Sequence, residues 1–117
     1  MDIKKARGIR KSSEIITIAA ATTPEALFTR TASGQNPRTV IVRKIFVYNN
    51  TGGDETVDIG TGLAGAFANI IPTITAVNGF DAQWTEELIP EVEVGADLTV
   101  QASALGVQVQ VEVEEIG

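Results

Sequence analysis

Carboxylates are the only reactive side chains that this sequence supplies in number. Its 117 residues include 15 Asp and Glu, whereas His and Cys are absent and Met, Trp and Tyr each occur once. The lack of imidazole and thiol groups excludes His-based acid–base catalysis, thiol catalysis, disulfides and zinc sites built from His and Cys. The sequence therefore predicts a protein that is not an enzyme and that carries no cofactor and no catalytic residue.

Two acidic clusters are the remaining candidates for chemistry. Asp54, Glu55 and Asp58 follow Gly52-Gly53, and an acidic, glycine-rich loop could hold Ca²⁺ through carboxylate and carbonyl oxygens. The spacing matches neither an EF-hand nor a nonapeptide calcium repeat, so the preferred interpretation is a solvated hairpin loop without metal. The other cluster consists of Glu86, Glu87, Glu91 and Glu93 near Trp84. A glycosidase needs a cleft between two carboxylates, for which a β-sandwich of this size has little room.

A third pattern is the segment from Gly60 to Gly65, which fits G-x-G-x-x-G literally. A dinucleotide site needs an amphipathic helix directly after that loop, and none follows here. The match is therefore interpreted as a coincidence. Trp84 and Phe80 could stack on a sugar, although packing in a core or an interface is favoured for both.

The basic residues are confined to the first part of the chain. Residues 1–44 contain 9 basic and 3 acidic groups, whereas residues 45–117 contain 12 acidic groups and no basic one. Five of the cations lie in a polar N-terminal stretch, residues 1–12, which we expect to be a flexible arm. They are Lys4, Lys5, Arg7, Arg10 and Lys11. The acidic remainder would repel a polyanion, so we expect the arm to bind an acidic protein surface or a neighbouring subunit rather than nucleic acid.

The elements that would carry these residues are strands. Ile and Val together number 25 against 5 Leu, and no segment keeps a helical period over 10–12 residues. The longest predicted strand is residues 39–48, whose two faces are both largely apolar, with Val40, Val42, Phe46 and Tyr48 on one of them. Such a strand belongs in the middle of a sheet or against another subunit. Residues 98–102 and 107–114 alternate cleanly and predict a final hairpin.

These strands and the turn signals between them predict an all-β protein. We expect a single antiparallel β-sandwich of about eight or nine strands, of jelly-roll or β-tulip type, over residues 13–117. Residues 59–80 carry no charge and contain apolar side chains that we expect at an oligomer interface, with a trimer favoured over a dimer: Phe67, Ile70, Ile71 and Ile74. The glycines and Pro72 within this stretch argue against a transmembrane helix, so no membrane partner is expected.

The segments 42–52 and 96–102, together with the terminal Val/Gln/Glu strand, resemble small β-sandwich structural proteins of tailed bacteriophages, the capsid decoration or cement proteins. The resemblance implies a β-sandwich or β-tulip fold, frequent trimers, terminal arms that grip a capsid or a neighbour, and no catalytic residues. It implies that this chain binds the major capsid protein lattice on the virion surface after synthesis in the host cytoplasm. The alternative is a carbohydrate-binding or adhesion module.

Overall fold

The computed structural model describes residues 8–31, 38–79, 81–84 and 88–117, with only the backbone described at 81–84. Every regular element in these ranges is a strand. The strands are β1 (Ile9–Ser12), β2 (Ile16–Thr17), β3 (Glu25–Phe28), β4 (Thr39–Tyr48), β5 (Glu55–Thr61), β6 (Ala68–Asn69), β7 (Ile74–Ala76), β8 (Asp81–Trp84), β9 (Glu93–Val94), β10 (Leu98–Ala102) and β11 (Gln108–Ile116). No helix long and apolar enough to cross a membrane occurs among these residues.

The strands form two antiparallel sheets. Sheet A has the order β1-β11-β4-β8, and the short strands β2 and β9 lie beside β11 and β4 respectively. Sheet B has the order β3-β10-β5-β6, with β7 also beside β5. Three pairs of strands each occupy a single position, because both members lie along the same side of one neighbour: β1 and β2 beside β11, β6 and β7 beside β5, and β8 and β9 beside β4. The eleven strands therefore fill eight positions, four in each sheet.

The pairing of these positions is nested along the chain. The first position pairs with the last (β1 with β11), the second with the seventh (β3 with β10), the third with the sixth (β4 with β8) and the fourth with the fifth (β5 with β6). Two sheets connected in this way are a jelly roll. The predicted antiparallel β-sandwich of jelly-roll type is confirmed.

The core lies between the sheets and is built mainly from Val and Ile. Val109, Val111 and Val113 form its row on β11, and Leu98 and Val100 form its row on β10; each is at most 1% exposed. The alternation predicted for these two segments is confirmed, but the predicted hairpin is wrong. β10 and β11 belong to different sheets, because the turn between them crosses from one sheet to the other.

The central strand β4 contains a β-bulge at Arg43. Glu112 of β11 is paired with Lys44, whereas the next residue, Val113, is paired with Val42, so Arg43 is the extra residue. A bulge shifts the inward and outward alternation of a strand by one residue. The expectation that Val40 and Val42 share a face with Phe46 and Tyr48 is therefore wrong. Val40 and Val42 face the core, as do Ile45 and Val47, and Phe46 and Tyr48 face outward.

The predicted arm is shorter than residues 1–12. Residues 9–12 form β1 and pair with residues 112–115 of β11 in regular antiparallel register. These four residues are exposed, and the backbone of the acidic strand β11 provides the edge with which they pair. Residues 1–7 lie outside the described residues, so the arm remains a prediction for that segment.

Candidate interaction surface

The basic residues that the structure describes are all engaged within the subunit. Lys4, Lys5 and Arg7 lie outside the described residues, whereas Arg10 contacts Glu112 at 3.3 Å and Lys11 contacts Glu115 at 2.9 Å. The other described cations behave in the same way. Arg30 pairs with Asp97, Arg38 with Glu115, Arg43 with Glu91 and Glu114, and Lys44 with Glu112.

The topology explains why these pairs form. The acidic strand β11 lies between β1 and β4, which carry Arg10, Lys11, Arg43 and Lys44. Charges that are far apart along the chain thus become neighbours in one sheet. For the described residues, the separation of basic and acidic segments is a pattern of contacts within the fold. Docking between subunits by the basic residues 4, 5 and 7 stays a prediction, because they lie outside the described residues.

One of these pairs is buried on the outer side of sheet A. The guanidinium of Arg43 contacts Oε1 of Glu114 at 2.7 Å, and the two side chains are 5% and 3% exposed. Glu91 contacts the same guanidinium at 3.2 Å, and a side chain at Gly8 would collide with the Glu114 carboxylate. Burial alone would lower the pKa of Arg43, but the hydrogen bonds and charges of Glu114 and Glu91 outweigh it and raise the pKa. The pair fixes the bulge of β4 to β11.

The neighbouring residue Glu115 is buried on the inner side of the sheet, because successive side chains of a strand point to opposite faces. Its carboxylate accepts hydrogen bonds from the backbone N–H of Thr31 at 2.5 Å and from the Thr31 hydroxyl at 2.8 Å. The Lys11 ammonium contacts it at 2.9 Å and Arg38 at 3.8 Å. Burial alone would raise the pKa of Glu115, but the bonds from Thr31 and Lys11 outweigh it and lower the pKa. This carboxylate ties β11 to β1 and to the end of the segment after β3.

We expect the charge of Glu115 to contribute to acid sensitivity. A carboxyl group whose pKa is lower in the folded state stabilises the fold above its ordinary value of 4.5, and that stabilisation is lost as the pH falls through the lowered value. Denaturant unfolding of the native protein and of Glu115→Gln, measured at pH values on both sides of 4.5, should show a steeper acid loss for the native protein. Glu14→Gln, at an exposed carboxylate, serves as the control. Parallel pH curves for the native protein and Glu115→Gln would contradict the expectation.

The residues predicted for an oligomer interface face mainly inward. Ile71 and Ile74 are each 7% exposed and belong to the core between the sheets, so they offer little surface to a partner, and the subunit contact stays a prediction. Ile70 is half-buried against the same core. Phe67 is half-buried beside a surface groove of sheet B. The uncharged stretch is thus apolar largely because it supplies the core of its own subunit.

The described members of the two acidic clusters do not converge on one site. Asp54 accepts the backbone N–H of Asn78, Glu55 accepts the Ser103 hydroxyl, and Asp58 accepts the Asn69 amide. In the other cluster, Glu86 and Glu87 lie outside the described residues, as does Phe80, and no side chain is described at Trp84. Among the described residues, no group of three or more acidic side chains is placed to hold a metal ion. The G-x-G-x-x-G segment ends β5 and begins the turn to β6.

The outer face of sheet A carries an apolar surface that the sequence pattern did not reveal. Phe46 and Tyr48 are both 41% exposed and Ile15 is 62% exposed, and they line one shallow groove. Gln110 and Gln108 lie opposite Phe46 and Tyr48 in the register of β11. We call these five residues the β4 patch. The bulge hid this patch, because an uninterrupted alternation places Phe46 and Tyr48 with the core valines.

The β4 patch contains no charge, and one of its side chains is held by a hydrogen bond to the backbone. The Gln110 amide donates a hydrogen bond to the Ser13 carbonyl at 3.0 Å, which fixes it against the segment between β1 and β2. The ionic row of Lys44, Glu112 and Arg10 adjoins the patch on the same face. The outer face of sheet B is different in character, since Asp58 there is surrounded by hydrogen-bonding side chains. Sheet A is therefore the face better suited to a protein partner.

The jelly-roll fold has a counterpart among solved structures. This chain resembles a structure described in the words "Bacillus endospore appendages form a novel family of disulfide-linked pili", with a TM-score of 0.53 and 15% sequence identity. The match covers 94% of this chain and 88% of that chain. No protein-family model and no curated protein matches the sequence. The likeness supports the fold alone. The disulfide linkage of that pilus has no equivalent within this chain, which contains no Cys.

Proposed function

We propose that this protein is a non-enzymatic structural subunit that associates with copies of itself through the β4 patch. The observation that carries the proposal is the exposure of Ile15, Phe46 and Tyr48 around one groove on an uncharged part of sheet A. Aromatic side chains are enriched at the centres of protein interfaces, where they are surrounded by polar residues.

Electrostatics favours this surface over others for self-association. Each subunit carries a net charge of −6, so two copies repel each other wherever acidic surfaces meet. The β4 patch brings no charge into such a contact, and the adjoining row contains both signs of charge in Lys44, Glu112 and Arg10. Because this chain contains no Cys, the contact must be held by burial of apolar surface and by polar contacts.

Two kinds of assembly fit this proposal. The sequence resemblance favours a discrete oligomer, such as a trimer, that decorates a phage capsid. The likeness to an appendage subunit favours a filament built from this chain itself. In a closed ring the contact surfaces of every subunit are occupied, whereas an open filament keeps a free contact surface at each end and can grow. Light scattering and negative-stain electron microscopy of the purified chain would distinguish a defined oligomer, a filament and a monomer, and a monomer at all concentrations would refute self-association.

We expect a charge in the β4 patch to disrupt the assembly. Tyr48→Glu buries an unpaired carboxylate in the contact, and loss of an aromatic anchor alone costs about 2 kcal/mol, or about 30-fold in affinity. Sedimentation should therefore show a shift of the native oligomer to monomers. Thr75→Glu places the same charge at an exposed site on sheet B and should leave the assembly unchanged. Equal assembly by Tyr48→Glu and the native protein would place the contact elsewhere.

A further inference from the structure

A second groove lies on the other side of the sandwich, at sheet B. It has a volume of about 470 Å³ and is lined by residues of the segment before β3, the turn from β5 to β6, and β10. We call it the Phe67 groove, and the lining residues used below are Thr22, Thr23, Gly65, Phe67 and Gln101. Its volume falls within the range of small-molecule sites.

The aromatic ring of this groove is positioned by a glycine. A Cβ atom at Gly60 would collide with the carbonyl oxygen of Ala68 and lie 3.0 Å from Cζ of Phe67, so the lack of a side chain at Gly60 lets the β6 backbone, and with it the Phe67 ring, lie close to β5. Phe67 is half-buried, and its remaining surface lines the groove. An aromatic ring held in this way offers an apolar platform at a small entropic cost.

The side-chain amide of Gln101 is oriented by a hydrogen bond to Asp58. Its Nε2 donates to Oδ2 of Asp58 at 3.4 Å, and Oδ1 of Asp58 accepts hydrogen bonds from Asn69 at 2.8 Å and Thr73 at 2.5 Å. Because an ionised carboxylate only accepts hydrogen bonds, this contact fixes which end of the amide is Nε2. The Oε1 atom of Gln101 accepts no hydrogen bond from the described residues, so it is available to a hydroxyl donor.

The backbone at Thr22 is strained. Its φ is 52°, the left-handed region that a β-branched residue rarely adopts, and Thr22 is the only such non-glycine residue in the described part of the chain. A hydrogen bond from its N–H to the Ala102 carbonyl, 2.7 Å long, holds this conformation. Strained residues are common at ligand sites, where the surrounding structure maintains them for function. Here the strain places two threonines, Thr22 and Thr23, at the groove.

We propose that the Phe67 groove binds an uncharged carbohydrate. A sugar ring combines an apolar face, which stacks on an aromatic ring, with peripheral hydroxyls that pair with amide and hydroxyl groups. No charged residue is among the described residues that line the groove, and the net charge of −6 disfavours an anionic ligand. A purely apolar ligand would desolvate Oε1 of Gln101 without offering it a hydrogen-bond donor. This binding function is separate from self-association, because it uses the opposite sheet.

Titration of the ¹⁵N-labelled chain with cellohexaose, chitohexaose and maltohexaose tests this proposal. We expect at least one sugar to cause saturable shifts of the backbone amides at residues 22–23, 64–67 and 101. Phe67→Ala should weaken that binding by about tenfold, the effect of one aromatic stacking contact. Gln101→Ala, which removes no packing ring, should also weaken it and provides a second variant if Phe67→Ala unfolds.

Phe46→Ala is the matched control, since it removes an exposed Phe from the β4 patch. It should weaken self-association and leave sugar binding unchanged, whereas Gln101→Ala should do the reverse. Failure of all three sugars to cause saturable shifts would overturn the proposal, as would unchanged binding by both groove variants. Either outcome leaves the assembly measurements intact, so the two functions fail independently.

Discussion

Arg43→Ala is expected to lower the free energy of unfolding by about 3–5 kcal/mol, because it leaves Glu114 buried without its cation. Both side chains are almost fully buried, and Oε2 of Glu114 has no hydrogen-bond partner among the described residues even when Arg43 is present. The variant would therefore lose much of the stability of a domain of this size. Urea unfolding followed by far-ultraviolet circular dichroism measures the change.

Lys44→Ala provides the control for Arg43→Ala. Lys44 is the next residue of β4, and its ammonium lies 3.9 Å from Glu112 with both side chains partly exposed, so its loss should cost less than about 1 kcal/mol. The double variant Arg43→Leu with Glu114→Leu removes both charges together and should recover most of the stability lost in Arg43→Ala. Similar losses of unfolding free energy for Arg43→Ala and Lys44→Ala would show that the burial of the Arg43–Glu114 pair does not contribute to stability.

Asn49→Ala is expected to destabilise the protein by about 3 kcal/mol, because the buried Ala76 carbonyl loses its partner and the turn after β4 loses three further hydrogen bonds at the same time. Asn49 is 0% exposed, and its amide donates to the carbonyls of Gly53 at 2.9 Å and Ala76 at 2.8 Å. Its Oδ1 accepts from the N–H of Thr51 at 3.0 Å and from the Thr51 hydroxyl at 2.8 Å. One side chain thus joins the turn after β4 to the end of β7.

The exposed neighbour Asn50 supplies the comparison for this second variant. Asn50→Ala removes the same amide from the same turn and should change the free energy of unfolding by no more than about 0.5 kcal/mol. Thermal unfolding of the two variants measures the difference. A loss of stability in Asn50→Ala as large as that in Asn49→Ala would mean that the turn, and not the buried amide, is the source of the effect.

The strands of this protein were largely predictable from local patterns. The bounds of β4 and β10 agree with the predicted segments 39–48 and 98–102, because period-two alternation and glycine-rich turns are local signals. The same signals do not reveal which sheet a strand joins. A turn that crosses between sheets, such as the one from β10 to β11, contains the same residue types as a hairpin turn. The final hairpin was therefore predicted wrongly although both strands were correct.

The candidate sites were less predictable, for two physical reasons. A β-bulge has no reliable sequence signal, and the one at Arg43 exchanged the faces of half of β4, which exposed Phe46 and Tyr48. The ion pairs join residues of opposite ends of the chain, as Lys11 and Glu115 do. Composition showed the two charged segments, but only the pairing of β1 and β4 with β11 shows that they meet.

The position of β11 also bears on how this protein can be made. β11 is the central partner of β1, β2 and β4, yet it is the last of the described strands to leave the ribosome. Until β11 has been synthesised, the edge of β4 that pairs with β11 stays unpaired in the nascent chain, and Arg43 lacks its partner Glu114. Pairing between strands so distant in sequence makes folding slow and exposes unpaired edges to aggregation. Protection by a chaperone during synthesis should matter more for this protein than its small size suggests.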